Sequence, residues 1–348
     1  MNKLKTIIVG TGGFGMTWLQ DTLPTATDRG TIEVVAAVDI NRENLQNAVT
    51  MLGLDPAQCY LSLGKALTKA KADIVVLTTP PTARLKLILQ AFEHGCDVMC
   101  EKPLALTMTE AADILFAARK SGRKLALTMT HRFSQRHRTF AREVHSGQYG
   151  RLEYLVMNFN WRYHYFAPPR QKEQDYNMYI EGAIHHLDIL RNLAGADCEW
   201  VFAAGRSPDW ADVGKGWQSL MTMQFKNGVH ASYESSWCNA AAQNGWGKEY
   251  MRAEFQNATL VAAQEDIMIY PVFEHEGETP VGHVAPKMQG DLWGNDYTFD
   301  QFIRWVNGGN PAPTNIEDNV KSMAMVFAAI QSSETGLPVR VDDILGIE

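Results

Sequence analysis

The chain has 348 residues, of which 45% are hydrophobic and 20% are charged, an ordinary composition for a globular protein. This length predicts two domains, each able to bury its own core. The formal net charge of −7, with no long run of lysine and arginine, argues against a nucleic acid or an anionic membrane as partner. The N-terminal apolar run is too short for a signal peptide or a membrane span, and five cysteines without a CxxC pair fit a reducing compartment. We therefore expect a cytoplasmic protein.

The first predicted strand leads directly into a glycine-rich turn. Lys5–Val9 is a continuous apolar run typical of a parallel sheet, and the helical pattern that follows the turn is predicted to end before Pro24. A strand, a GxGxxG and a helix in this order predict a dinucleotide-binding turn, in which the glycines allow a tight turn, close approach of a pyrophosphate and close packing of helix on strand. The residues predicted to contact the dinucleotide are Gly10, Thr11, Gly12, Gly13, Phe14 and Gly15.

The second predicted strand, Glu33–Val38, ends in Asp39 after a loop predicted over Thr25–Thr31. A carboxylate at this position accepts hydrogen bonds from the adenosine ribose hydroxyls and repels a 2′-phosphate. This favours NAD over NADP, although Arg42 leaves NADP possible. We predict that Asp39, Ile40 and Arg42 line this part of the cofactor site.

Strands and helices go on alternating up to about residue 129, which predicts a doubly wound parallel sheet. The predicted helices are Arg42–Leu52, Gly64–Ala70, Thr82–His94 and Thr109–Ser121, and the further strands are Ile74–Leu77, Val98–Cys100 and Lys124–Met129. Ligands bind at the carboxyl edge of such a sheet. Thr79 and Pro80 follow one of these strands and Glu101 and Lys102 follow the next, so we predict that all four residues face the cofactor.

Lys102 lies between a buried-looking strand and Pro103. A buried ammonium is costly unless it is paired or used, and Pro103 biases the residue before it toward an extended conformation. Taken alone, Glu101-Lys102-Pro103 fits a solvated strand end as well as a positioned lysine.

From residue 130 to residue 348 the pattern predicts a second, α+β domain on a large, open and mostly antiparallel sheet. Asn227-Gly228 is a hairpin signal between two of its strands. The predicted strands are Leu152–Trp161, Glu199–Gly205, Gln218–Phe225, Val229–Trp237, Tyr250–Phe255 and Thr259–Ala263, and the helices are Tyr179–Leu193, Tyr297–Val306 and Ile316–Thr335. The basic cluster of Arg132, Arg136, Arg138 and Arg142 is interpreted as a solvated helix face.

Together these features resemble the glucose-fructose oxidoreductase and inositol dehydrogenase family, Gfo/Idh/MocA. The resemblance is carried by the glycine turn, Asp39, Thr79-Pro80, Glu101-Lys102-Pro103 and the segment from Glu181 to Asp188. It implies an N-terminal Rossmann domain, a C-terminal sheet that mediates homodimers or homotetramers, and hydride transfer between a nicotinamide and a sugar or cyclitol hydroxyl carbon.

The resemblance also implies the catalytic residues. Lys102 would hydrogen-bond the reacting hydroxyl, and His185 would take its proton, a task that suits an imidazole. Glu181 stands where the family has an aspartate, and the spacing of four residues places it on the helix face of His185. A histidine satisfied in the core is the other interpretation of His185. No metal is expected, because His186 points about a hundred degrees away from His185 and no HExxH is present.

The segment from Trp161 to Phe166 brings aromatic faces and polar tips together, as in sites that bind sugars. An ordinary hydrophobic loop anchor remains open for each of its residues. The resemblance adds His131 and Arg132, and Arg132 and Arg162 would pair with an anionic substrate group. Weaker candidates are Trp237, Asn239 and Trp246. The predicted substrate-binding residues are Lys102, His131, Arg132, Trp161, Arg162, Tyr163, Glu181 and His185.

The leading functional hypothesis is an NAD(P)-dependent dehydrogenase that acts on a secondary hydroxyl of a sugar, glycoside or cyclitol, with Lys102 and His185 as its proton-relay pair. Two alternatives stay open. One is an NAD-dependent glycosidase that oxidises the sugar transiently and eliminates the aglycone. The other is a nucleotide-sensing regulator, which we favour less because a pure binder has no use for a proton-relay pair.

Overall fold

A computed structural model describes residues 3–272 and 280–346 of the chain. The chain divides into two compact units, one formed by Met1–Thr130 and Leu292–Val320, the other by His131–Asp291 and Lys321–Glu348. The boundary predicted after residue 129 lies beside Thr130. The structure differs from the prediction in returning Leu292–Val320 to the first unit, whereas the sequence pattern had assigned everything from residue 130 onward to the second domain.

The bounds of the regular elements follow in chain order. The strands are β1 (Leu4–Val9), β2 (Ile32–Val38), β3 (Cys59–Tyr60), β4 (Ile74–Leu77), β5 (Asp97–Cys100), β6 (Leu125–Leu127), β7 (Leu152–Asn160), β8 (Cys198–Arg206), β9 (Gln218–Phe225), β10 (His230–Ser236), β11 (Tyr250–Phe255), β12 (Ala258–Ala263), β13 (Asp266–Pro271), β14 (His283–Val284) and β15 (Val339–Arg340). The α-helices are α1 (Gly15–Thr17), α2 (Leu23–Asp28), α3 (Arg42–Leu52), α4 (Leu63–Lys69), α5 (Pro81–Glu93), α6 (Met108–Ser121), α7 (Gln135–Val144), α8 (Tyr163–Phe166), α9 (Pro169–Glu173), α10 (Ile184–Ala194), α11 (Gly294–Val306), α12 (Ile316–Thr335) and α13 (Val341–Leu345). Two π-helical turns, Trp18–Thr22 and Met178–Ala183, precede α2 and α10.

The first unit contains a six-stranded sheet in the order β3-β2-β1-β4-β5-β6. Every neighbouring pair in it is parallel. Connecting helices allow such parallel pairing and cover the sheet, which explains the continuous apolar strands. The predicted doubly wound parallel sheet is confirmed, and all strands reach the same edge with their carboxyl ends.

The helix after the glycine turn continues through Pro24, so the predicted end before Pro24 and the predicted loop over Thr25–Thr31 are wrong. The π turn places the N–H of Leu23 on the carbonyl of Trp18, five residues back. Pro24 therefore stands in the first turn of α2. A proline without an N–H group is tolerated at such a position.

Helix α11 completes the core of the first unit, which explains why Leu292–Val320 returns to it. The ring of Phe299 meets that of Trp18 edge-on, with 5.3 Å between the centroids. Phe302 and Ile303 join the same buried cluster as Leu19 and Ile8 of the dinucleotide-binding half. Apolar contact between segments this far apart in sequence has no local signature, so the sequence pattern missed it.

The second unit is built on a nine-stranded sheet in the order β14-β13-β12-β11-β7-β10-β9-β8-β15. Among the strands that the structure describes in this sheet, the central pair of β7 and β10 is parallel and the other neighbouring pairs are antiparallel. The predicted open and mostly antiparallel sheet is confirmed. Helix α10 packs on one face against β7 and α7. On the opposite face outward side chains remain accessible, as with Leu220, which is 63% exposed.

The basic cluster predicted as a solvated helix face is only partly solvated, with Arg136 and Arg138 half-buried. Arg132 is 7% exposed, and α7 buries His137 and Phe140. Arg142 is exposed as expected. The prediction failed for Arg132 because this residue has a buried acidic partner in the same unit, described below. Within the described part of the chain, none of the helices has the length and apolarity needed to cross a membrane.

Candidate active site

The glycine turn is shaped by close approaches that leave no room for side chains. Gly10 has a φ of +94°, and a Cβ on Gly15 would lie 2.2 Å from the carbonyl oxygen of Gly10. A Cβ on Gly12 would meet the side-chain amide of Asn44 at 2.5 Å. Thr11 is buried, whereas Gly13 and Phe14 are exposed. The N–H groups of Gly15, Met16 and Thr17 donate to the carbonyls of Gly12, Gly13 and Phe14 at 2.9–3.1 Å, so the helix begins directly in the turn. The positive end of the helix dipole then lies at the turn and suits the phosphates of a dinucleotide.

The end of β2 fits the adenosine half of the same ligand. Asp39 is buried and accepts hydrogen bonds from the backbone N–H groups of Thr11 and Asn41, both at 2.8 Å. The side-chain amide of Asn44 donates to it at 3.3 Å. The side chain of Ile40 is 92% exposed and Arg42 is also exposed. Asn44 was not among the predicted site residues, and its position one turn into α3 is the signal that could have found it.

Glu101 is buried, and two side chains of the first unit hold it by hydrogen bonds. Its Oε1 accepts a hydrogen bond from Trp18 Nε1 at 2.8 Å, and its Oε2 accepts one from Thr128 Oγ1 at 2.5 Å. Burial raises the pKa of this carboxyl above its ordinary value, against the opposing effect of the two hydrogen bonds. Glu101 thus ties β5 to the dinucleotide-binding helix and to β6, and its predicted contact with the cofactor stays a prediction.

The backbone of Lys102 is fixed from two sides at the carboxyl end of β5. Its N–H donates to Thr128 Oγ1 at 3.2 Å, and its carbonyl accepts from Arg84 Nη2 at 3.4 Å. The same guanidinium donates to the carbonyl of Thr79 at 2.8 and 3.0 Å. The Lys102–Pro103 peptide bond is cis. The backbone of Lys102 is therefore held in place, and the role of its side chain stays a prediction.

Arg84 and Thr128 were missed by the sequence analysis. Arg84 is 3% exposed and lies on the buried face of α5 together with Ile88 and Ala91. Its helical spacing from these apolar residues was the available signal. Thr79 is half-buried and Pro80 is exposed, so the turn that Arg84 holds reaches the surface at this edge.

Glu181 lies in the π turn Met178–Ala183, whereas His185 lies in the first turn of α10. The argument that four residues separate neighbours on one face holds for an α-helix and does not carry over unchanged to this wider turn. The turn packs tightly, since a Cβ on Gly182 would lie 2.3 Å from the Trp237 ring. Glu181 is half-buried, and its charge adds to the burial that raises the pKa of Tyr163.

His185 is 5% exposed and packs against His131, with 4.5 Å between the ring centroids. Trp246 contacts both imidazoles, at 4.5 Å from His131 and 5.8 Å from His185. The structure therefore brings together two of the predicted site residues, and it adds Trp246, which the sequence had given only as a weaker candidate.

The two predicted anion-binding arginines have different surroundings. Arg132 Nε lies 3.3 Å from Asp188 Oδ2, and Ser322 Oγ donates to the other oxygen of Asp188 at 2.9 Å. Both members of this ion pair are buried, which argues against Arg132 as a substrate ligand. Arg162 is exposed, with its guanidinium carbon 4.7 Å from the centroid of the Tyr165 ring. A substrate contact by Arg162 stays a prediction.

The aromatic residues of the predicted sugar-binding segment pack largely on one another. Trp161 and Tyr163 are stacked at 4.4 Å, and Trp237 meets Tyr163 edge-on at 4.8 Å. Trp237 is buried, whereas Trp161 and Tyr163 are half-buried. Asn239 Nδ2 donates to the carbonyl of Trp161 at 3.1 Å. Trp237 and Asn239 thus anchor the segment, while Trp161 and Tyr163 each keep part of their surface accessible. Their contact with a substrate stays a prediction.

His186 points into the interior of the second unit. Its Nδ1 lies 2.7 Å from the hydroxyl of Tyr233, and its Nε2 lies 3.6 Å from Oε1 of Glu249. Glu249 was missed, although it directly precedes β11 and continues the period-two alternation of the buried residues Met251 and Ala253. Within the described ranges, no group of three or more His, Cys, Asp and Glu side chains is arranged to hold a metal ion.

Comparison with known proteins agrees with these features. Residues 4–129 match an oxidoreductase family with an NAD-binding Rossmann fold, and residues 137–257 match the Gfo/Idh/MocA C-terminal domain. The uncharacterized protein y4oX of Sinorhizobium fredii is 34% identical over 347 residues, which cover 98% of this chain and 96% of that protein. D-apiose dehydrogenase of Paraburkholderia graminis is 22% identical, over 99% of this chain and 91% of the relative.

A solved structure shows the same fold. The oxidoreductase from Agrobacterium radiobacter, in complex with NAD+, L-tartaric acid and magnesium, superposes with a TM-score of 0.86 at 18% identity. The match covers 99% of this chain and 100% of the other. The predicted family resemblance and the predicted class of NAD(P)-dependent dehydrogenases are confirmed by these matches. The chain belongs to the Gfo/Idh/MocA family of NAD-binding oxidoreductases.

Proposed function

We propose that this enzyme transfers hydride between a nicotinamide cofactor and the secondary hydroxyl carbon of a sugar, glycoside or cyclitol, with NAD preferred over NADP. The observation that carries the proposal is the imidazole pair of His185 and His131, 4.5 Å apart, in a chain that also fixes Lys102 at the sheet edge. The name of one relative, D-apiose dehydrogenase, is consistent with a carbohydrate substrate.

Each proposed residue has a defined chemical task. The Lys102 ammonium donates a hydrogen bond to the reacting oxygen and stabilises negative charge that develops on it. His185 takes the hydroxyl proton during oxidation and returns it during reduction. Bound NAD supplies the acceptor for the hydride that leaves the same carbon. Glu181 accepts hydrogen bonds from substrate hydroxyls.

The remaining residues position the ligands. The accessible aromatic surface of Trp161 and Tyr163 covers apolar C–H surface of the sugar. Asp39 binds the adenosine ribose and disfavours a 2′-phosphate, which is the basis of the proposed NAD preference. Because Asp39 is already oriented by Thr11 and Asn41, its side chain has little conformational freedom left to lose on binding.

The direct experiment is a spectrophotometric screen for NAD and NADP reduction across aldoses, inositols and glycosides. We expect NADH to accumulate with at least one polyol, and Lys102→Met and His185→Asn to reduce turnover at least about a hundredfold. A glycoside that is cleaved without accumulation of NADH would favour the redox-neutral glycosidase instead. Tight NAD binding without turnover of any substrate would favour the regulator.

We also propose that the open face of the nine-stranded sheet joins copies of the chain into a homodimer or homotetramer. A cavity of about 900 Å³ lies on this face, lined by Leu220, Thr222 and Tyr250 among others. Accessible apolar side chains on a broad, flat face are typical of protein interfaces. We expect the wild type to be oligomeric in light scattering, and Leu220→Glu to lower the mass. A monomeric wild type would contradict this proposal.

A further inference from the structure

Glu249 is a buried carboxylate that the proposed reaction does not use. Its side chain is fully buried. Oε1 accepts a hydrogen bond from the N–H of Gly247 at 3.0 Å. The same oxygen lies 3.6 Å from Nε2 of His186 and 4.0 Å from Nδ1 of His131, and Oε2 lies 3.5 Å from Nε2 of His137. Three imidazoles thus surround one carboxylate.

The ionisable side chains around Glu249 come from α7, α10, β10 and the turn before α7. They are His131 from the turn before α7, Arg136 and His137 from α7, and His186 from α10, while Tyr233 of β10 contacts His186. Burial alone would raise the pKa of Glu249, but the surrounding imidazoles of His186, His137 and His131 outweigh this effect and lower the pKa. Glu249 is therefore ionised at neutral pH.

The three histidines differ in their access to solvent. Burial, with the charges of Arg136 and His186, lowers the pKa of His137 to about 4, so this ring is neutral at pH 7. The side chains of His137 and His186 are 1% and 0% exposed, whereas that of His131 is 24% exposed. His131 is also the ring that packs against His185. His131 therefore lies close to both Glu249 and the proposed base His185, and it also contacts solvent.

We propose that Glu249 is a positioning residue for proton release, whose negative charge stabilises the protonated form of His131 as it passes the substrate proton from His185 to solvent. The inference rests on the proposed role of His185. In oxidation, the N–H bond formed on His185 breaks as one forms on His131, directly or through one water. The proton on His131 then moves to water or buffer, and His185 returns to its neutral form.

The test is Glu249→Gln, which removes the charge while its amide oxygen can still accept from Gly247. A negative charge raises the pKa of a neighbouring imidazole, so its loss lowers that pKa. We expect the NMR titration of the His131 ring to shift to lower pH by about one unit, and the acid limb of kcat/KM to shift in the same direction. The matched control is Glu143→Gln. Glu143 is a buried carboxylate of α7 that pairs with Arg142 and Tyr149, and the substitution removes its charge. This control should leave both titrations unchanged.

A second variant tests the transfer itself. His131→Asn should lower kcat in dilute buffer, and rising concentrations of imidazole should restore most of it, while the wild type should be insensitive to buffer concentration. An unshifted His131 titration in a folded Glu249→Gln enzyme, or a loss of kcat in His131→Asn that no buffer restores, would overturn the inference. Neither result touches the proposed function, which fails separately if His185→Asn keeps full turnover.

Discussion

The Thr128 hydroxyl forms hydrogen bonds with both Glu101 and Lys102 at the carboxyl edge of the first sheet, so removing it tests how this edge is held together. The group donates to Glu101 at 2.5 Å and accepts from the N–H of Lys102 at 3.2 Å. Thr128→Val keeps the shape and removes both bonds. A hydrogen bond to a charged group contributes about 1.5–3 kcal/mol and a neutral one about 1 kcal/mol, so the free energy of unfolding should fall by about 2–4 kcal/mol.

The assay compares Thr128→Val with Thr128→Ser, which keeps the hydroxyl. The valine variant should lose roughly 5–10 °C in Tm and at least about tenfold in kcat, because Lys102 is held less firmly, while the serine variant should stay near the wild type. Burial raises the pKa of Glu101 in the folded state, which means that folding disfavours the ionised form of this carboxyl. The stability deficit should therefore shrink as the pH falls below that raised pKa and the carboxyl is protonated. A valine variant that melts and turns over like the wild type would refute this account of the edge.

Two further substitutions test the cofactor half. Asp39→Ser removes the charge that disfavours a 2′-phosphate. In steady-state kinetics, the kcat/KM for NADP divided by the kcat/KM for NAD should therefore rise at least about tenfold. An unchanged ratio would contradict the role assigned to Asp39. Gly15→Ala places a Cβ 2.2 Å from the backbone oxygen of Gly10. This variant should have a lower Tm and should bind NAD more weakly in calorimetry. A Tm equal to that of the wild type would show that the turn is less tightly packed than described.

The sequence predicted those elements whose signals are local. The bounds of Arg42–Leu52, Ile74–Leu77 and Gln218–Phe225 agree with the structure, because periodicity and flanking turn residues mark such segments. The GxGxxG turn and the carboxyl edge carrying Lys102 were predicted for the same reason.

Features that depend on distant partners were not predicted. The return of α11 to the first core depends on Phe299 packing on Trp18, and the burial of Arg132 depends on Asp188. The π turn that holds Glu181 packs its Gly182 closely against Trp237, a residue more than fifty positions away. The residue spacing within one segment does not predict these contacts, since each is a tertiary interaction between distant parts of the sequence.

The central claim is hydride transfer from a carbinol carbon to NAD with His185 as the base. The most direct measurement uses a substrate found in the reduction screen, deuterated at the reacting carbon, with mass spectrometry of the NADH formed. We predict that one deuterium appears in the nicotinamide ring with the wild type, and that His185→Asn, still able to bind NAD, forms NADH at least about a hundredfold more slowly. NADH without deuterium, or full-rate transfer by His185→Asn, would contradict the account.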